Sequence, residues 1–330
     1  MANIKDVANL ANVSITTVSM VLNNTDNKIS EKTRQNVIDA AKKLNYSPNR
    51  IARSLVTKKS NAVMLVIPDI SNPFFGIMAK ELSVLFEKEG YLLYIYNSNV
   101  STFNEKNFLD LIEKNFIGLS LIVDRRVESF SLDTKKKHKI IFLDEMSNSN
   151  NDMTVTCDNE MGGYIAANYI IDNGYKNTGI ITGNMNSVNS IKRFKGFKKA
   201  FEKRNIRFDD NNVFYGDYTF ESGYKNAKNL INNNIDSVFC FNDMMAFGFI
   251  SYCKKINKNI PDDIAVMGYD DTFMCDIVSP RLTSISQNIS QIAKNTYELS
   301  KKILNDEDID KKKIFVKPVL VKRQSVKEVK

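Results

Sequence analysis

From residue 61 onward the chain alternates apolar runs of strand length with helical stretches, and partway along the alternation starts again. Ala62 to Ile67, Leu92 to Tyr96, Leu119 to Val123 and Ile140 to Leu143 read as buried parallel strands, with Phe75 to Glu89 and Asn104 to Lys114 as helices between them. The second series has strands at Thr178 to Thr182, Val213 to Tyr215, Val238 to Phe241 and Ile264 to Tyr269. Its helices run from Met161 to Asn173, Ser187 to Arg204, Ser222 to Asn232 and Met244 to Asn257, and a last strand is expected over Ile314 to Lys322. Two similar α/β halves in series predict two doubly wound parallel sheets with a cleft between them, its ligand groups on the loops after the strand C-termini.

The first 46 residues follow a different rule. Asn3 can cap a helix from Ile4 to Asn12, with Asp6 in capping-box position and Ile4, Val7, Ala8 and Ala11 as the apolar stripe. The turn Asn12-Val13-Ser14 leaves room only for a tight corner. Ser14 then caps a second helix, in which Val18, Val21 and Leu22 face inward while Ile15, Thr16 and Ser19 face out with no salt-bridge partners in sequence. A third helix, capped by Ser30 and running to about Leu44, turns Val37, Ile38, Ala41 and Leu44 inward. An all-α helix-turn-helix headpiece results, with an outer face suited to a DNA groove.

Charge separates this reading from an ordinary small helical unit. Residues 1 to 60 hold ten basic and four acidic side chains, so they carry +6 of the chain's net +8. Positive charge concentrated in the smallest domain is the footprint of phosphate binding. The stretch Asn49 to Leu55 can form a turn or two of helix, too short to be stable alone in water. It reads either as a hinge that folds only on DNA, with Leu55 as a minor-groove wedge, or as a plain linker.

Other function classes find little support. No apolar run reaches membrane-spanning length and no charged-then-apolar leader opens the chain, so a cytoplasmic protein without membrane partners is expected. Cys157, Cys240, Cys253 and Cys275 lack metal or redox spacing and read as core residues; the lone histidine, His138, sits in the basic run Lys135 to Lys139, expected to be a solvated loop. Neither a metal nor another cofactor is expected, nor an enzyme: no G-x-G-x-x-G, P-loop or G-x-S-x-G is present.

The loops after the strands carry Asp69, Asn72, Phe74, Phe75, Asp144, Arg193, Asp217, Tyr218, Asn242, Asp270 and, past Pro280, Gln287. Planar polar side chains bind vicinal hydroxyls in pairs, and aromatic rings cover the C–H faces of a sugar. Each residue alone reads as a cap, a turn or a core position. Their repeated placement after strands points to a neutral polyol.

Ordered motifs then tie the chain to a family. Ile4-Lys5-Asp6-Val7-Ala8, Val13-Ser14, Thr17-Val18-Ser19, Val21-Leu22-Asn23, Leu44-Asn45-Tyr46, Pro48-Asn49 and Ile51-Ala52-Arg53-Ser54-Leu55 form the first set. Pro68-Asp69-Ile70-Ser71-Asn72-Pro73-Phe74-Phe75, Asn242-Asp243-Met244, Gly268-Tyr269-Asp270-Asp271 and Ser279-Pro280 form the second. With these the chain resembles the lactose-repressor family of bacterial transcription regulators over essentially its whole length. The resemblance implies a headpiece at 1–46, a hinge helix and linker at 47–60, and a core like the periplasmic sugar-binding proteins at 61–330. Within the core it implies one subdomain of about 61–158 with 288–313 and another of about 159–287 with 314–330.

The same resemblance implies a homodimer on a palindromic double-stranded operator, repressing a carbohydrate operon under a small effector, a sugar or else a purine. Implied DNA contacts are Ser14, Ile15, Thr16, Thr17, Ser19, Met20, Asn23, Tyr46, Asn49, Ala52, Arg53 and Leu55. Implied ligand contacts are Asn72, Phe74, Phe75, Asp144, Arg193, Tyr218, Asn242, Asp270 and Gln287, as in the ribose-type branch. Two positions depart from the pattern. Met20 stands where the family usually has Arg and offers no bidentate contact to guanine, and Glu145 stands where the ribose-type pocket commonly has Arg or Trp. Effector binding as inducer and as corepressor remain equally open.

Overall fold

The computed structural model describes residues 2–22, 29–46, 60–98, 104–123, 130–144, 149 and 151–328. The chain divides at Ser60 and Asn61 into two units. In the first, α1 (Ile4–Ala11) carries the capping box of Asn3 and Asp6, and Asn12 turns the corner in left-handed geometry. α2 (Ile15–Leu22) and α3 (Glu31–Lys43, capped by Ser30) complete a small core of Val7, Ala8, Val18, Val21, Val37, Ala40 and Ala41.

The second unit holds two six-stranded sheets. The first has the order β11-β5-β4-β3-β1-β2 and is parallel throughout, from β1 (Ala62–Ile67), β2 (Leu92–Asn97), β3 (Leu119–Ile122), β4 (Ile140–Leu143), β5 (Met153–Cys157) and β11 (Lys313–Val316). Its helices are α4 (Pro73–Glu87), α5 (Glu105–Lys114), α6 (Leu132–Lys137) and α11 (Ile289–Leu304). The second sheet has the order β12-β10-β9-β8-β6-β7, from β6 (Thr178–Thr182), β7 (Val213–Tyr215), β8 (Ser237–Cys240), β9 (Ala265–Asp270), β10 (Thr283–Ser286) and β12 (Val319–Val321). Here α7 (Asn159–Asp172), α8 (Val188–Lys203), α9 (Phe220–Asn232) and α10 (Asp243–Lys255) pack against it, and only β12 runs antiparallel to its neighbour.

Several expectations change. The single last strand over Ile314 to Lys322 is two strands in different sheets, because Pro318 has no N–H to continue a ladder. The third passage between halves therefore lies at 317–318 and not at 313/314. β5 and β10 escaped the sequence reading because Thr154, Thr156, Thr283 and Ser284 interrupt the apolar signal while being buried. β2 is an edge strand that leaves Leu92, Tyr94 and Ile95 exposed, unlike the buried strand expected.

The basic run around His138 is no solvated loop. Lys135 to Lys137 close α6, His138 is its buried C-cap residue, and the Lys135 ammonium is buried 2.8 Å from Asp152 and 5.4 Å over the Phe142 ring. Burial, reinforced by the charge of Lys137, lowers the His138 pKa. The four cysteines are buried and unbridged.

Candidate functional site

In the helical unit the backbone N–H of Thr17 donates to Ser14 Oγ at 3.0 Å, so Ser14 caps α2. With Val18 and Val21 packed inward, the opposite face shows Thr16, Ile15 (43% exposed) and Met20 (36% exposed); Thr17 and Ser19 are half-buried beside it. Tyr46 packs on the three-helix core. Asn23, Asn49, Ala52, Arg53, Leu55 and Glu145 lie outside the described residues.

In the second unit one cleft of about 490 Å³ is lined by all nine residues expected to meet a ligand. The β1–α4 loop supplies one wall. Asn72 spends its Oδ1 on capping α4, accepting from Phe74 N at 3.0 Å, and Asp69 Oδ1 accepts from Ser71 N and Oγ. Phe74 and Phe75 meet edge to face at 5.3 Å. Asp144 follows β4 in left-handed geometry, with φ 58°.

The opposite wall centres on Arg193, on the inner face of α8 and 3% exposed. Its Nε donates to Asn159 Oδ1 at 2.7 Å, its Nη1 to the Phe241 carbonyl at 2.5 Å, and its guanidinium lies 3.7 Å above the Tyr269 ring. Burial opposes its charge, but the oxygen atoms of Tyr269, Tyr218, Asp270 and Asp144 outweigh that and raise its pKa. Two glycines allow α8 to come this near. A Cβ on Gly163 would lie 2.0 Å from the Arg193 carbonyl oxygen and one on Gly196 would lie 1.8 Å from that of Glu160.

Gln287 Nε2 donates to Asp270 Oδ1 at 2.7 Å, while the buried Gln287 Oε1 has no donor among the described residues. Burial pushes the Asp270 carboxyl well above the usual range, only partly opposed by Arg193. Beneath it Asp243 accepts from Ser284 Oγ, Thr272 N and Cys275 Sγ, yet burial still raises its pKa to about 6. Asn242 caps α10 through Met245 N and donates to the Tyr218 carbonyl at 2.9 Å.

Asn184, Asn189 and Thr219 also line the cleft and went unnoticed in the sequence. Asn189 had a readable signal: it precedes Arg193 by four residues on one helix and so shares its face. Among the described residues no group of acidic, His or Cys side chains is arranged to hold a metal, and no helix is long and apolar enough to cross a membrane.

A three-helix unit followed in sequence by a two-lobed α/β cleft is the layout of a ligand-responsive DNA-binding regulator. Residues 3–49 match the model of bacterial regulatory proteins of the lacI family, and residues 167–326 match that of the periplasmic binding protein-like domain. The chain is similar to the HTH-type transcriptional repressor PurR of Histophilus somni (strain 129Pt), 33% identical over 99% of both chains. It is equally similar, at 33% over 99% of both, to the ribose operon repressor of Lactococcus lactis subsp. lactis (strain IL1403). Its fold matches a lac repressor dimer bound to operator and the anti-inducer ONPF, with TM-score 0.84, 22% identity and 98% of both chains covered. The chain belongs to the lacI family of bacterial regulatory proteins, as a transcriptional repressor and not an enzyme.

Proposed function

We propose that this repressor binds a palindromic operator as a cytoplasmic homodimer and is controlled by an uncharged, polyhydroxylated small molecule in the cleft, a sugar of the pentose or hexose class, governing a carbohydrate operon. The observation that carries the effector class is the balance of donors and acceptors. Among the described residues the cleft presents the carboxylates of Asp69, Asp144 and Asp217, the Asp270 carboxyl that burial biases toward its neutral form, and the undonated Oε1 of Gln287 against one guanidinium, which is already engaged by Asn159, Phe241 and Tyr269. Such a wall takes hydroxyl donors and repels phosphate or carboxylate. Phe74 and Phe75 supply an apolar surface for ring C–H groups.

For DNA, support comes from the +6 charge of residues 1–60 and the exposed α2 face of Ile15, Thr16 and Met20. For the homodimer, it comes from apolar side chains left open at the β2 edge, Leu92, Tyr94 and Ile95, and on the second half, Phe273 and Ile277. A purine base is the second reading, favoured by the equal likeness to a relative named PurR and by the N–H donors such a base offers.

Thermal-shift screening of the full chain against pentoses, hexoses and purine bases tests the effector. The best hit is expected to lose its shift in Asp270→Ala; an unchanged shift removes this cleft from the account. Binding to duplex DNA is expected to weaken steeply as salt is raised, and salt-independent binding contradicts the headpiece reading.

A further inference from the structure

A chain of buried amides joins the cleft arginine to the place where the polypeptide passes between its two halves. Asn159 opens α7 directly after that passage and is 1% exposed. It accepts from Arg193 Nε at 2.7 Å and from the Tyr269 hydroxyl at 3.1 Å, and its Nδ2 donates to the Cys157 carbonyl at 3.1 Å and to Asn189 Oδ1 at 3.0 Å. Asn189 Nδ2 in turn donates to the Asp144 carbonyl at 3.2 Å. That oxygen also receives the Thr156 hydroxyl.

The two ends of this chain belong to different sheets. Asp144 directly follows β4 and Cys157 ends β5 of the first, whereas Asn189, Arg193 and Tyr269 sit on α8 and β9 of the second half. The Asn189–Asp144 bond therefore spans the cleft. With the Asn159 bond to the Cys157 carbonyl it is one of two side-chain hydrogen bonds of this chain that join the halves. Its loss leaves the Asn189 amide to be met by water and the Asp144 carbonyl with the Thr156 hydroxyl alone, and turns loose the Asn189 oxygen that orients Asn159 beside Arg193.

We infer that Asn189 is a positioning residue: it latches the two halves through the Asp144 carbonyl and ties that latch, through Asn159, to the guanidinium of Arg193. The inference rests on the cleft being the effector site for its regulatory meaning. A ligand that draws on Arg193 or Asp144 then acts on the same bonds that set how far the halves are closed, which converts occupancy into a change of geometry.

Hydrogen exchange on the ligand-free full chain tests the latch whatever the effector is. In Asn189→Ala the amides of residues 153–162 are expected to exchange about tenfold faster, while those of β7 and α9 in the same half stay unchanged. Asn189→Asp separates the two roles, since a carboxylate keeps the acceptor for Asn159 but loses the donor toward Asp144. Buried and aimed at the Asp144 backbone carbonyl, in a cleft also lined by the charged side chains of Asp144, Arg193 and Asp270, the introduced group is expected to loosen the joint at about pH 7.5 and restore it near pH 5, where it regains a proton to donate. After correction for intrinsic exchange, wild type and Asn189→Ala should show no such recovery.

Uniform acceleration through the second half, unchanged exchange at the joint, or absence of acid recovery in Asn189→Asp overturns the latch. With D-ribose as probe, Asn189→Ala is expected to weaken binding about tenfold and Asp270→Ala to abolish it. If D-ribose binds no variant nor the wild type, the sugar reading falls while the ligand-free arms still decide the latch.

Discussion

The two walls of the cleft are built in opposite ways. The wall from the first sheet is an aromatic pair and two loop carboxyls, with Asn72 already committed to capping α4. The other is a buried polar lattice in which Arg193 is bonded to Asn159, Gln287 to Asp270, and Asn242 to the Tyr218 carbonyl before any ligand arrives. The difference teaches where recognition and adaptation reside. Buried, mutually bonded groups have one low-energy arrangement and so fix which donors a ligand must offer. Apolar rings tolerate changes in shape and supply contact area without dictating hydrogen bonds.

The largest predicted effect breaks the lattice at its centre. Arg193→Met removes the Arg193 donor from the Phe241 carbonyl, leaves Asn159 Oδ1 with the Tyr269 hydroxyl alone, and is expected to cost about 3–5 kcal/mol in urea unfolding, with loss of ligand response. A loss no larger than that of a surface substitution would show that the second wall is not prebuilt. Next is Asp243, whose pKa is raised to about 6, above its ordinary 3.8. The folded chain then binds the proton more tightly than the unfolded one, so this group's contribution is full below the unfolded value and is lost as pH rises to about 6. The stability advantage of wild type over Asp243→Asn should therefore shrink by roughly 2–3 kcal/mol between about pH 4 and pH 6 and stay flat above.

The first wall should respond more mildly. Phe75→Leu keeps an apolar surface and is expected to cost less than about 1.5 kcal/mol of stability while weakening the best ligand about tenfold. A stability loss equal to that of Arg193→Met would erase the contrast between the walls. The smallest effect is reserved for the outer side of α8. Lys195 and Lys199 lower the Glu160 pKa, but all three side chains are partly solvated, so Glu160→Gln should change stability by less than about 1 kcal/mol.

Most of the cleft was legible because its residues follow strands, and a strand end at a parallel sheet is a predictable address. Asp144, Asn242 and Asp270 were found that way. Asn189 was not, since an asparagine near a helix start reads first as a cap, and its partner Asp144 lies 45 positions away. The same limit hid β5 and β10, whose Thr and Ser hydroxyls are answered by distant groups: Thr156 by the Asp144 carbonyl and Ser284 by Asp243. α11 was missed although Ile289, Ile292, Ala293, Thr296, Tyr297 and Ile303 fall at helical spacing; only a start signal is absent, because its N-cap residue Asn288 is left-handed and makes no side-chain cap. In the headpiece, by contrast, Asn3, Ser14 and Ser30 all cap locally, and every helix there was readable from neighbours within four residues.

Calorimetric titration of the full chain with neutral sugars and purine bases, each paired with its phosphorylated counterpart, bears most directly on the acceptor-rich cleft. The predicted result is binding of a neutral member at least about a hundredfold tighter than its phosphate ester, a gap of roughly 2.7 kcal/mol. A phosphorylated compound that binds as tightly as the neutral one, or more tightly, would contradict it.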